Sequence, residues 1–105
     1  MPNRLFFGII NQMKEVIDRT IGVIDENYAV IACSDLGAIG EVREELSEVS
    51  FSTQDAFTMG GYTYRAFGPR PHGAYLVFVE GEDEQAKKDA TLLGISFDNI
   101  KQYYD

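Results

Sequence analysis

Apolar residues recur at alternating four- and three-residue steps near the start of the chain, at Phe6, Ile10, Met13 and Ile17. This spacing predicts an amphipathic helix over residues 3–19, with Asn3 as its N-cap. Leu5, Ile9 and Val16 widen the stripe, so the helix either packs within its own core or also reaches a second surface such as a partner helix. Lys14–Asp18 and Glu15–Arg19 sit four residues apart on the solvent side. The period then changes. Two β-branched and apolar runs, Ile21–Ile24 and Ala29–Cys33, flank Asp25-Glu26-Asn27, which predicts a tight β-hairpin. A glycine-bearing loop, Ser34–Gly40, leads into a short helix over residues 41–48. Glu41, Glu44, Glu45 and Glu48 form its outer face, with Val42, Leu46 and Val49 on another side.

The second half reads as strands followed by a helix. Residues 51–55 are polar and turn-like. Ala56–Met59 and Tyr62–Phe67 are strand-like and joined at Gly60-Gly61. Gly68-Pro69-Arg70-Pro71-His72-Gly73 must be a loop, because proline cannot donate to a ladder. Residues 74–79 are apolar on both faces, which predicts a strand at the centre of the sheet. An acidic stretch from Glu80 to Glu84 opens the last helix, where it suits the positive end of the dipole. Ala86, Ala90, Leu93, Phe97, Ile100 and Tyr104 mark the helix's buried side, and Asp83–Lys87 and Glu84–Lys88 support the exposed one. Gly94 predicts a break near residues 93–96, with Ser96 or Asp98 capping a second piece. Together these elements make one α+β domain. Its antiparallel sheet has four or five strands, with helices at both chain ends and a short one between.

Charge and cysteine content narrow the function. Seventeen acidic residues against nine basic ones leave a net charge of −8. Phosphate-backbone binding relies on Lys and Arg, so this domain is not expected to contact nucleic acid itself. The acidity reads as solubility. The single cysteine, Cys33, allows neither an internal disulfide nor a Cys-based zinc site, and it fits a reducing cytoplasm. No apolar run approaches the ~18 residues that a bilayer span needs. The apolar helix running to Tyr103-Tyr104-Asp105 predicts a domain cut from a longer regulator.

Catalytic apparatus is not visible, and no cofactor or metal is expected. The acidic clusters read as solvated faces, and His72 reads as a surface residue of its loop. Cys33 reads as a small buried hydrophobe. Leu36-Gly37-Ala38-Ile39-Gly40 lacks the Lys-Ser/Thr of a phosphate cradle. A binding pocket is better supported. Alternation puts Tyr62, Tyr64 and Ala66 on one face of their strand and Thr63, Arg65 and Phe67 on the other. Arg65 among these aromatics either faces solvent or clamps a carboxylate or phosphate. Arg43, Ser34, Asp35 and Cys33 fall where the hairpin meets the short helix. Arg43, Arg65 and Tyr64 are therefore candidate anchors for an anionic or polar ligand, and Cys33, Ser34 and Phe78 are candidate lining residues.

Ile24-Asp25-Glu26-Asn27, then Val30-Ile31-Ala32-Cys33-Ser34-Asp35, then Ile39-Gly40, behind the helix from Phe6 to Arg19, resembles the N-terminal sugar-diacid-recognition domain of carbohydrate-diacid-regulator transcription factors. More broadly it is similar to the hairpins of PAS and GAF sensor domains. The resemblance covers about the first forty-five residues. Tyr28 stands where that pattern usually has a turn glycine, Ala38 where arginine is common and Arg43 where histidine is common. The resemblance implies an antiparallel sheet with flanking helices, a homodimer through the terminal helices and a downstream DNA-binding helix-turn-helix. The expectation is a PAS/GAF/profilin-like module that senses a small, anionic or carboxylate-bearing molecule within a cytoplasmic transcription regulator or signalling protein. The alternative is a roadblock- or profilin-like dimerisation or scaffold module without a ligand. An enzyme is not expected.

Overall fold

A computed structural model describes residues 2–48, 56–68 and 75–104, with side chains described for residues 4–48, 56–68 and 75–99. Helix α1 (Pro2–Met13) leads into the hairpin strands β1 (Ile21–Ile24) and β2 (Val30–Cys33). Two 3-10 turns follow, Leu36–Ala38 and Glu44–Glu48. Then come β3 (Phe57–Met59), β4 (Tyr62–Phe67), β5 (Tyr75–Glu80) and helix α2 (Glu84–Tyr104). The five strands form one sheet in the order β2-β1-β5-β4-β3, and every neighbouring pair is antiparallel. This is the expected α+β architecture, with β5 at its centre. Among the described residues, no helix is long and apolar enough to cross a membrane.

The sheet separates two apolar layers. Phe6 and Ile10 of α1 and Ala86, Ala90, Leu93 and Phe97 of α2 cover one face, packing on Ile21, Val23, Phe67, Val77 and Val79. Rings of Phe6, Phe67 and Phe97 meet there, with centroids 5.0–5.5 Å apart. The opposite face buries Ile24, Val30, Cys33, Leu46, Tyr64, Leu76 and Phe78. Strand alternation therefore sends Leu76 and Phe78 of β5 to one layer and Val77 and Val79 to the other.

Several local expectations are corrected. The first helix begins at Pro2 and ends at Met13. Proline suits a helix's first turn, so Asn3 lies inside the helix rather than capping it. Amides of Lys14 and Val16 close the last turn on the carbonyls of Ile10 and Met13, each at 2.9 Å. Residues 14–19 thus lie beyond the helix, and the Lys14–Asp18 and Glu15–Arg19 spacings are not helical. Arg19 reaches instead to Asp83, at 2.8 Å from Nη2, and to the Glu80 carbonyl at 3.2 Å. The hairpin turn is wider than a tight one. Asp25 Oδ1 accepts from the amides of Asn27 (2.9 Å) and Ala29 (3.1 Å), and Tyr28 takes a left-handed φ of 66°. Ala29 bridges to Val42 rather than joining β2. The expected short helix is reduced to the 3-10 turn at Glu44–Glu48. Leu46 is buried as its pattern requires, but Val42 is exposed. Val49, the 51–55 turn and the loop containing His72 lie outside the described residues.

The last helix is unbroken through Gly94. Arg65 of β4 crosses α2 at this position, and a Cβ on Gly94 would stand 2.9 Å from the Arg65 Cδ and closer still to its guanidinium. The glycine admits a side chain between helix and sheet; it does not end the helix. Asp83 caps α2, its Oδ1 accepting from the Ala86 amide at 3.3 Å. Because Asp83 is engaged by Arg19, Lys87 pairs with Glu84 at 3.9 Å rather than with Asp83.

Candidate functional site

The candidate site lies on the sheet face opposite the two helices. Antiparallel pairing of β4 with β5 sets Tyr64 beside Phe78, and Tyr62 projects to the same side, edge-on to Phe78 at 5.6 Å. Gly22 of β1 pairs with Phe78 on the other flank. A Cβ there would lie 2.6 Å from the Phe78 ring, so the missing side chain is what seats that ring. Over these aromatics runs the segment between the two 3-10 turns. The Arg43 amide donates to the Tyr28 carbonyl at 2.9 Å, and the Leu46 amide returns to the Arg43 carbonyl at 3.1 Å. Those bonds aim the Arg43 side chain down at the sheet.

Its guanidinium carbon stands 4.2 Å from the Tyr62 ring centroid and 4.3 Å from that of Phe78. Nη1 donates to Tyr64 Oη and Nε to Glu41 Oε1, each at 3.1 Å. Arg43 is only 6% exposed, whereas the Glu41 side chain is 54% exposed. Burial works against the Arg43 charge, but the bonds to Tyr64 and Glu41 outweigh it and hold the guanidinium above its usual range. Burial pushes the Tyr64 phenol up, with Arg43 opposing, so the phenol is neutral near pH 7. Burial likewise pushes the Cys33 thiol up. A thiol so held is a poor nucleophile. The resulting unit is a planar cation set against two aromatic rings, with one edge turned to a half-exposed carboxylate. Such a fork recognises carboxylates in its own plane.

The structure thus brings together Arg43, Tyr64 and Phe78 of the six expected residues. Cys33 shares their apolar layer from β2. Ser34 lies elsewhere. Its hydroxyl accepts from the Ile21 amide at 3.0 Å, and it lines an open cleft of about 350 Å³ with Lys14, Arg19, Thr20 and Glu80. Arg65 projects to the helix-bearing face, where it crosses Gly94, and its Nη1 is buried without a hydrogen-bond partner. Alternation along β4 puts Arg65 and Tyr64 on opposite sides, so the two arginines cannot close on one ligand. Glu41 and Tyr62 belong to the unit but were not anticipated. Tyr62 was legible as the i,i+2 neighbour of Tyr64. Glu41 was read as part of a helical acidic face, whereas the extended backbone at residues 41–43 puts it beside Arg43. Among the described residues, no three His, Cys, Asp or Glu side chains are grouped to hold a metal ion. No protein-family model matches the chain, and no curated protein and no solved structure matches it.

Proposed function

We propose that the chain is a small-molecule-sensing regulatory domain of a cytoplasmic transcription regulator or signalling protein, and that Arg43 anchors a carboxylate-bearing ligand. One observation carries this reading. A buried guanidinium, set against the Tyr62 and Phe78 rings, offers an edge to Glu41, a carboxylate that is itself half in solvent. A ligand carboxylate that takes the place of Glu41 keeps the cation paired and frees the segment over residues 39–48 to move. Any shift of Phe78 on the central strand is felt one residue away by Val77 and Val79, which pack against the helical layer. The ligand acts only as far as it favours one arrangement of that layer over another. In this reading two copies pair through their terminal helices.

Calorimetric titration with succinate, tartrate and glucarate tests the site. Saturable binding is expected for at least one of them. It should weaken by about tenfold or more in Arg43→Lys, which keeps the charge but not the fork. Arg65→Ala should leave it unchanged, and Glu41→Gln, a substitution at an exposed position, should tighten it. Absence of binding by all three acids, or binding indifferent to Arg43→Lys and Glu41→Gln, overturns the reading.

A second reading, a roadblock- or profilin-like dimerisation module without a ligand, is favoured by the apolar residues left on the outer faces of the helices. Leu92 of α2 is 60% exposed and Ile95 45% exposed. A chain that self-associates but fails every titration above is such a module.

A further inference from the structure

We propose that Arg65 anchors a second anion site, between β4 and α2, and that this site takes a phosphate group, free or as a monoester. It lies on the side of the sheet away from Arg43 and is independent of the carboxylate reading. The state of the Arg65 side chain carries the proposal. Among the described residues Arg65 has no hydrogen-bond or ion-pair partner, and its Nη1 is the one buried side-chain nitrogen or oxygen left unpaired. A buried donor without an acceptor keeps the cost of leaving water, so folded proteins pair such groups. Helix α2 bears a second cost at the same point. Gly94 is a poor helix residue inside an unbroken helix. Its only close neighbour is Arg65, whose Cδ and Cζ would stand 2.9 and 3.3 Å from a Cβ there. An apolar residue at 65 with alanine at 94 would remove both costs. The chain keeps a cation there against its local preferences, and the acceptor that completes it comes from outside.

The neighbouring residues say which acceptor fits. Residues 87, 91, 94 and 98 fall along one side of α2. That side faces β4, since Asp98 Oδ1 accepts from the Gly68 amide at 2.7 Å. This bond occupies Asp98, the acidic member of the row. Lys87, at its other end, is 45% exposed and loosely paired with Glu84 at 3.9 Å. Lys87 and Thr91 also line an open groove of about 430 Å³, so the row is reached from solvent. On the sheet, alternation sets Thr63 on the same side as Arg65, and Thr63 pairs with Thr58 of the edge strand β3. The Thr63 hydroxyl is taken by the Gly81 carbonyl at 2.8 Å, whereas Thr58 is exposed and diagonal to Arg65. A carboxylate is satisfied by one guanidinium edge. A phosphate group has oxygens left for the Thr58 hydroxyl and a second negative charge for Lys87. On a chain of net charge −8, that local pair of cations is what draws an anion in.

Calorimetric titration of the 105-residue chain with inorganic phosphate, at low ionic strength and without other oxyanions, tests the site. Saturable binding is expected, with a melting temperature that rises with phosphate concentration. Arg65→Gln should weaken binding by about tenfold or more and abolish that rise. Thr58→Val, at an exposed position, should weaken it by about threefold at an unchanged melting temperature. Arg43→Lys should leave it unchanged, so this site and the carboxylate site fail separately. Glycerol 2-phosphate is titrated in parallel; tighter binding of the ester assigns a monoester, and equal or weaker binding assigns the free ion. In phosphate-free buffer Arg65→Met should melt above wild type, because it keeps an apolar stem and removes the unpaired nitrogen. No saturable phosphate binding, binding indifferent to both Arg65→Gln and Thr58→Val, or an Arg65→Met chain that melts below wild type overturns the proposal.

Discussion

Replacing Gly22 with alanine tests how the sheet holds the aromatic seat of Arg43. The new Cβ would fall 2.6 Å from two atoms of the Phe78 ring and 2.5 Å from the Ala32 carbonyl oxygen. Relief requires the ring to retreat by about 0.8 Å to reach ordinary contact. It cannot do so freely, because the Arg43 guanidinium lies 4.3 Å from its centroid and Tyr62 meets it edge-on. The carbonyl is held in the ladder, where Ala32 pairs with Val23. Overpacking of this kind costs about 1–3 kcal/mol, and alanine recovers about 0.5–1 kcal/mol of glycine's entropic penalty in a strand. The net expectation is a loss of about 1–2 kcal/mol, which lowers the thermal midpoint by roughly 4–10 °C in a domain of this size. Urea denaturation followed by circular dichroism measures the first quantity and a thermal scan the second. In Phe78→Leu the ring is gone and part of the clash with it, so the Gly22→Ala penalty should shrink by about 0.5 kcal/mol or more in a double-mutant cycle. A Gly22→Ala midpoint at or above wild type, or strict additivity with Phe78→Leu, refutes the reasoning.

Other outcomes follow from the same geometry. Gly94→Ala should destabilise despite alanine's better helix propensity, because its Cβ meets the Arg65 side chain; in the Arg65→Ala background the same change should stabilise by up to about 1 kcal/mol in urea titrations. Phe97→Ala empties the place where the rings of Phe6 and Phe67 converge and should cost about 3–5 kcal/mol, read from the urea midpoint. Asp83 has its carboxyl pulled down to about 2, first by its hydrogen bond to Arg19. A lowered carboxyl contributes stability that is complete above the unfolded value of 3.8 and is lost as pH falls from there through about 2. Asp83→Asn should therefore flatten the acid limb of the stability–pH curve in that window and leave its shape above pH 5 unchanged.

Long periodic signals were legible in the sequence; features made by contacts distant along the chain were not. The apolar run at residues 75–79 identified the central strand, because only a strand covered on both faces is apolar at successive positions. The stripe at Phe6, Ile10 and Met13 located α1 but overran its end, since Ile17 continues the helical spacing while packing onto the core from outside the helix. Gly94 was misread because its purpose lies on another element, in the side chain that crosses it. The site was half visible for a similar reason. Tyr64 and Arg43 could be singled out by residue type, but their meeting depends on the fold of residues 39–48 over β4. Arg65 belongs to the other face by simple alternation, and its aromatic neighbours in sequence point away from it.

The Arg19–Asp83 pair has a mechanical consequence. Arg19 belongs to the connector that carries α1 into β1, and Asp83 is the residue from which α2 starts; the guanidinium also holds the Glu80 carbonyl at the end of β5. The connector to α1 and the start of α2 are therefore tied at one corner of the sheet, while Phe6 and Phe97 hold the two helices together over the sheet further along. The two helices are thus joined twice, by an ion pair at the corner and by buried rings further along, so a displacement of one is passed to the other through the rings even when the exposed ion pair opens.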